Sequence, residues 1–264
     1  MVLLSPCDYG LVKSALGDVD ANVMFAHAVV NRDVKGTIYV DDPKVPTIFY
    51  VAHPYGMSLL FGNNVYHEDF NHALKQYLFK QRYASEWLQV YPLAWEKLIE
   101  TLSAETKAMQ RFERLNFQFS KERYLALKKT INLEDVRVMR VDETLYQKIS
   151  GKVVPKRFWN NYYDFELYGM GYSVVDEKKT PLCTAFSSFI VNDRLELGIE
   201  TQEAHQGKGY AYAACCALID ACLQKGLEPV WSCGSYNDAS QKLAEKLGFV
   251  PTLKRAYYHL APHA

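Results

Sequence analysis

The chain is short of the usual marks of a metal centre. Its seven histidines are scattered with no H-E-x-x-H run, and no two of its six cysteines stand in C-x-x-C spacing, so no metal site is expected. An excess of either charge is missing as well: Lys plus Arg number 30, and Asp plus Glu number 30. That balance speaks against nucleic acid or an anionic membrane as the main partner. No apolar run approaches the roughly 20 residues that span a bilayer. The opening Met1-Val-Leu-Leu-Ser-Pro-Cys7 has neither the positive n-region nor the long apolar stretch of a secretion signal, so a cytoplasmic protein is expected. In that compartment Cys7, Cys183, Cys215, Cys216, Cys222 and Cys233 read as buried free thiols. Internal repeats and low-complexity tracts are absent too.

What is present is an ordinary globular composition, 49% hydrophobic and 23% charged over 264 residues, enough for one large or two medium domains. Residues 36–40, 47–51 and 57–61 read as strands. Phe70, Ala73, Leu74, Tyr77 and Leu78 mark an amphipathic helix over 68–80. Pro92 opens a second helix, Leu115, Phe117 and Phe119 alternate as a strand, and Ser120 caps a helix ending near 130. The short polar segment 131–135 is the best boundary, which divides the chain into 1–133 and 134–264. Beyond it come a strand at 136–141, a helix capped by Asp142, and a helix opened by Pro155 that carries Phe158, Trp159 and Tyr162. A hairpin of 171–175 with 182–190 follows, then a strand at 195–201, an apolar helix at 210–224 and a strand at 230–233. Asp238 and Gln241 form a capping box for the last helix, and 249–260 closes the fold.

One segment stands out chemically. Gln206-Gly-Lys-Gly-Tyr-Ala211 lies directly between a strand and a helix, so turn amides and the positive end of a helix dipole meet at one point. That arrangement suits a phosphate ester. A dinucleotide fingerprint needs a third glycine or an alanine where Tyr212 stands. A Walker A loop needs Gly at Gln202 and Ser or Thr at Gly209. Both fail.

The same six residues resemble the acyl-CoA loop of the GNAT superfamily of N-acetyltransferases, Arg/Gln-x-x-Gly-x-Gly/Ala. Trp231, Asn237, Ala239-Ser240, Leu243 and Glu245-Lys-Leu-Gly-Phe249 follow at that family's usual distance. The resemblance covers about Leu133 to Ala264. It implies an α/β (α+β) fold: a GNAT-like mixed twisted sheet flanked by helices in the C-terminal half, preceded by a second α/β domain. It implies acetyl-CoA as co-substrate and no metal. The amides of Gln206, Gly207, Lys208, Gly209, Tyr210 and Ala211 would hold the pyrophosphate. The pantetheine arm would lie between two splayed parallel strands, 195–201 and 230–233, against the backbone of Ile199 and Thr201. Gly198 would mark a bulge that opens the gap, Asn237 would hydrogen-bond the arm, and Ser240 would lie near it.

Acetyl transfer needs a neutral amine and a polarised thioester carbonyl. Glu196 and Glu200 are the candidates to take the amine's proton. They stand four apart and so share one face of a strand. Glu196, ten positions before Gln206, is preferred, because many relatives carry an acidic residue there. The family's usual acid, a tyrosine in the last helix, is replaced by Ala244, which leaves Tyr210, Tyr257 and Tyr258 as substitutes. The expected function is transfer of an acetyl group from acetyl-CoA to a primary amine by direct attack in a ternary complex. The acceptor would be a small-molecule or protein amine, with no nucleic acid and no membrane, and a homodimer stays open. A non-catalytic acyl-CoA-binding module is the alternative, and a nucleotide-binding protein a weaker third. The first half, rich in aromatics such as Tyr50, Tyr55, Tyr66, Trp87, Tyr91 and Trp95, reads as an acceptor pocket, a degenerate second copy of the same unit, or a packing domain.

Overall fold

A computed structural model describes residues 1–82, 84–104, 109–128 and 136–262. The boundary expected at 131–135 lies outside the described residues. The first half of the chain forms β1 (Val2–Leu3), α1 (Lys13–Gly17), α2 (Met24–Val30), β2 (Thr37–Val40), β3 (Ile48–His53), β4 (Met57–Gly62), α3 (Glu68–Gln76), β5 (Glu86–Tyr91), α4 (Ala94–Ser103), β6 (Met109–Phe119) and α5 (Lys121–Lys128). The second half forms β7 (Val138–Arg140), α6 (Glu143–Lys148), α7 (Tyr162–Tyr168), β8 (Gly171–Val175), β9 (Pro181–Val191), β10 (Arg194–Thr201), α8 (Tyr210–Gln224), β11 (Glu228–Gly234), α9 (Asp238–Lys246) and β12 (Phe249–Leu260). The fold is mixed α/β.

The chain gathers into two compact units, and neither is a single stretch of sequence. One holds Met1–Arg114, Gly234–Tyr236 and the chain from Lys254; the other holds Leu115–Cys233 and Asn237–Leu253.

In the first unit the strand order is β1-β2-β3-β4-β5-β12. β1 to β4 pair antiparallel, whereas β4 and β5 are parallel because α3 carries the chain back between them. α3 forms where His67 caps Phe70 N–H at 3.2 Å and where Phe70 and Leu74 fall on one face. Those two side chains, with Tyr50, Trp95, Ile99 and Tyr258, make the core of this unit. Glu86 and Arg82 are buried in this unit. Glu86 accepts hydrogen bonds from the hydroxyls of Tyr50 and Tyr77. Arg82 donates to the carbonyls of Leu260 at 2.9 Å and Ala261 at 2.7 Å, which holds the end of β12 in place.

In the second unit the order is β6-β11-β10-β9-β8-β7. β7 to β10 pair antiparallel, and β10 runs parallel to β11, with α8 as the crossover. α8 is apolar nearly all round because it is buried: Ala213, Ala214, Cys215, Leu218, Ile219 and Cys222 pack with Leu195, Leu197 and Trp231. Its one charge, Asp220, accepts from Tyr124 Oη at 2.7 Å and pairs with Lys128. The topology of the first unit therefore recurs in the second: an antiparallel run that ends in a parallel pair joined by a helix. Each unit is closed by a strand from the opposite half of the chain.

Several local expectations change. Pro155 opens only a 3-10 turn, Pro155–Arg157. α7 starts afresh at Asn161, whose side chain caps Asp164 N–H at 2.9 Å. α9 is capped by Asn237 rather than by Asp238 with Gln241, since Asn237 Oδ1 reaches the Ser240 amide at 3.0 Å. The strand expected at 136–141 shortens to β7. All six cysteines are free, five buried and Cys7 exposed. Among the described residues no cluster of His, Cys, Asp or Glu could hold a metal, and no helix is long and apolar enough to cross a membrane.

Candidate active site

The site lies where β10 and β11 part. Their parallel ladder joins Arg194 to Glu228, Leu195 to Pro229 and Glu196 to Val230. Beyond that third pair, β10 continues to Thr201 and β11 to Gly234 with no further pairing between them among the described residues. The opposite edge of β10 stays fully paired to β9, out to Thr201 against Cys183. Gln202 N–H donates to Leu182 O at 3.0 Å. Backbone groups alternate along a strand, so those of Leu197, Ile199 and Thr201 point away from β9 and into the seam. Five residues of seam, at about 3.3 Å each, make an open slot about 17 Å long.

The carboxylates sit as alternation demands. Leu195, Leu197 and Ile199 pack on the α8 side, and Glu196 and Glu200 occupy the other. Glu196 is buried, 6% exposed, and its Oε1 accepts from Ser232 Oγ at 2.6 Å. It therefore stands at the fork of the seam. Glu200 accepts the Val153 amide at 2.8 Å and is turned toward the loop after α6. The bulge expected at Gly198 is located elsewhere. The register slips between Glu196 and Leu197 because β9 holds one extra residue, Ser188. Gly198 is glycine for a different reason: a Cβ there would stand 2.4 Å from Ser188 Oγ and 2.6 Å from the Phe186 ring.

At the far end of the seam the chain passes through a short 3-10 turn, Glu203–His205, into the glycine loop. Gly207 and Gly209 have φ of 76° and 78°, values that L side chains adopt only under strain. Nothing of the protein lies within 4 Å of a Cβ at either position. Gly209 is the N-cap of α8 and makes no side-chain cap bond. Among the described residues no N–H from Gly207 to Tyr212 donates to a backbone acceptor. This is a row of donors, exposed from Gly207 to Gly209, at the positive end of a 15-residue helix, suited to a diphosphate. Beside it, Lys208 Nζ stands 3.5 Å from His205 Nδ1. Asn237 and Ser240 are joined through the cap of α9, and Ser240 Oγ accepts from the buried Trp231 indole at 3.2 Å, which ties α9 to β11.

A family model described as GNAT acetyltransferase matches residues 15–258. The chain belongs to the GNAT acetyltransferase family. The match reaches far into the first unit, so the resemblance is wider than the C-terminal half expected from the motifs. An uncharacterized N-acetyltransferase of Bacillus subtilis (strain 168), YdfB, is 24% identical over 241 residues, 89% of each chain. A GCN5-related N-acetyltransferase-like protein from Streptococcus suis shares the fold with TM-score 0.72 and 23% identity, covering 96% of this chain and 98% of that one. A tandem GNAT protein from the clavulanic acid biosynthesis pathway does so with TM-score 0.63 and 10% identity, covering 98% and 97%.

As a GNAT acetyltransferase the chain is an acyltransferase, and its tyrosines can be sorted against that chemistry. Ala244 is fully buried. Tyr257 stacks on Trp87, ring centroids 4.7 Å apart, and Tyr258 belongs to the core of the first unit. Burial raises the Tyr258 hydroxyl pKa well above its usual range. Tyr210, the first residue of α8, lies on the loop, with its ring 6.2 Å from that of His205. Ser232 was not singled out in the sequence, because a lone serine in a strand carries no pattern; only the strand register reveals it. The Leu197 backbone, which also faces the seam, carries no pattern in the sequence either.

Proposed function

We propose that this GNAT enzyme transfers the acetyl group of acetyl-CoA to a primary amine by direct attack in a ternary complex. The observation that carries the reading is the fork at Glu196 and Val230, with a buried carboxylate at its apex and bare amides at its open end. An extended pantetheine arm would lie in the slot as an extra strand, bonded by Leu197, Ile199 and Thr201. The diphosphate would rest on the amides from Gly207 to Ala211, since the Gln206 amide already donates to Glu203 O at 3.3 Å, and Lys208 would add a positive charge. Asn237 and Ser240 would border the arm from α9. Acetyl-CoA supplies an activated acyl carbon with a good leaving group.

Glu196 takes the proton. The amine's nitrogen becomes strongly acidic as its bond to the acyl carbon forms, and the carboxylate accepts the proton directly or through one water. The C–N bond forms, the C–S bond breaks, and the thiolate leaves. Thiols are acidic enough for it to depart without a dedicated acid and take a proton from solvent, which suits a chain with Ala244 in the tyrosine position. Backbone N–H groups at the fork, Leu197 and Ile199, polarise the carbonyl as it gains negative charge. The acceptor class is a small-molecule or protein amine in the cytoplasm.

Thiol release is the test. Purified protein, acetyl-CoA and a panel of spermidine, tyramine, kanamycin and a hexapeptide with a free N-terminus should liberate free coenzyme A with at least one amine. Stabilisation by acetyl-CoA without thiol release from any amine would favour a binding module instead.

A further inference from the structure

Residues 149–159, between α6 and α7, cross the face of β9 and β10 that carries Glu196. We propose that Glu200 is a positioning residue that hangs this strap in place, and that the strap shapes the opening through which the amine reaches Glu196. The proposal rests on the acetyl-transfer reading and deepens it.

Three attachments fix the strap. At one end, Glu200 Oε2 accepts the Val153 amide at 2.8 Å. Gly151 lies against the same carboxyl group: a Cβ there would stand 2.7 Å from Glu200 Cγ, Cδ and Oε1, and its φ is 140°. Near the other end, the Phe158 ring meets Phe186 at 5.4 Å and Phe189 at 5.5 Å, edge to face in both cases. Those two phenylalanines are the register partners of Gly198 and Glu196. At the other end, Trp159 Nε1 donates to Ser187 O at 2.8 Å. The strap thus follows β10 from Glu200 to the level of Glu196, a span of four residues or about 13 Å.

The two carboxylates consequently divide their work. A loop amide taken out of water needs an acceptor, and Glu200 supplies one from a rigid strand. With Oε2 on Val153 and its carboxyl group beside Gly151, it is turned toward the strap. Glu196 Oε1 accepts the Ser232 hydroxyl at the fork of the seam and remains the group that takes the proton.

The test compares Glu200→Ala and Glu200→Gln with the unaltered enzyme, using acetyl-CoA and whichever of spermidine, tyramine, kanamycin or the hexapeptide turns over fastest. Loss of a hydrogen bond to a charged acceptor should raise the amine KM about tenfold in Glu200→Ala. kcat and the acetyl-CoA KM should stay within about twofold, and the Val153 amide should exchange hydrogen about tenfold faster. Glu200→Gln keeps an acceptor oxygen and should restore both readouts. A collapse of kcat in both variants at unchanged amine KM would mean that Glu200 itself takes the proton and would overturn the proposal. So would Val153 exchange in Glu200→Ala that matches the unaltered protein. If the unaltered protein acetylates none of the four amines, the acetyl-transfer reading falls, and the exchange rates alone decide whether Glu200 holds the strap.

Discussion

Ser232 on β11 donates its hydroxyl to the Glu196 carboxylate of β10 at 2.6 Å, two residues past the last paired position of β11. A charge-assisted bond of this length fixes the side-chain torsions of a buried glutamate. It also bridges two strands at the point where their ladder ends. The carboxylate is therefore aimed before any substrate arrives.

Removing that carboxylate should affect turnover and not cofactor binding. Glu196→Gln is expected to lower kcat about 100-fold or more while leaving the acetyl-CoA dissociation constant unchanged by calorimetry. Ser232→Ala should cost about tenfold in kcat. In the double variant the serine change should have no further effect, because the two residues act as one unit. Additive losses would show that they act separately.

The glycine loop should tolerate side chains in the fold but not in the complex. Gly209→Glu sets a carboxylate beside the row of amides, in space that the protein leaves open. The strained φ should cost about 1 kcal/mol of stability, seen as a small drop in melting temperature. Stabilisation by acetyl-CoA should vanish.

Thiol chemistry should single out one cysteine. Burial raises the pKa of Cys183 to about 11 and of Cys222 to about 12, and pushes Cys215 and Cys216 upward as well. At pH 8 these groups are protonated and shielded, so a disulfide reagent should titrate one thiol in the native protein, the exposed Cys7. Six should react after unfolding. A Cys7→Ser variant that still reacts natively would contradict this.

Acid should weaken the first unit through His53. Its burial depresses the pKa from 6.5 to about 4, and its Nδ1 accepts the Tyr55 amide at 3.0 Å. The unfolded chain takes up a proton below pH 6.5 that the folded ring refuses until about pH 4. Stability is therefore lost as pH falls through that window, by about 2 kcal/mol at pH 5. Urea unfolding at pH 7.5 and pH 5 should show this loss in the unaltered protein and a smaller one in His53→Gln.

Much of this was legible in the sequence, and the gaps have physical causes. β2, β3 and β4 are read from β-branched and aromatic runs between turn residues, and α3 from its period of 3.6. The loop before α8 is read from spacing alone. The strands at 115–119 and 249–260 are read as well, but their partners are not, because nothing local says that Tyr258 to Leu260 pairs with β5 while β6 lies beside β11. β5 itself was missed: Glu86 and Gln89 break its apolar pattern, and Glu86 is tolerated only because Tyr50 and Tyr77 bond it. The reading of Gly198 as a bulge was reasonable for a strand glycine, but its cause, the ring of Phe186, lies on another strand. Glu196 and Glu200 could not be told apart by alternation, since both face the same way; Ser232 and Val153 separate them. For the first-half aromatics, Tyr50 and Trp95 fill the core of their own unit, whereas Tyr66 is 87% exposed.

The central claim is tested most directly by a crystal structure of the protein with acetyl-CoA. The account predicts the diphosphate on the amides from Gly207 to Ala211, the pantetheine arm hydrogen-bonded to β10 at Leu197, Ile199 and Thr201, and the acetyl group beside Glu196. Cofactor density anywhere else, with β10 and β11 unchanged and the slot between them empty, would contradict it.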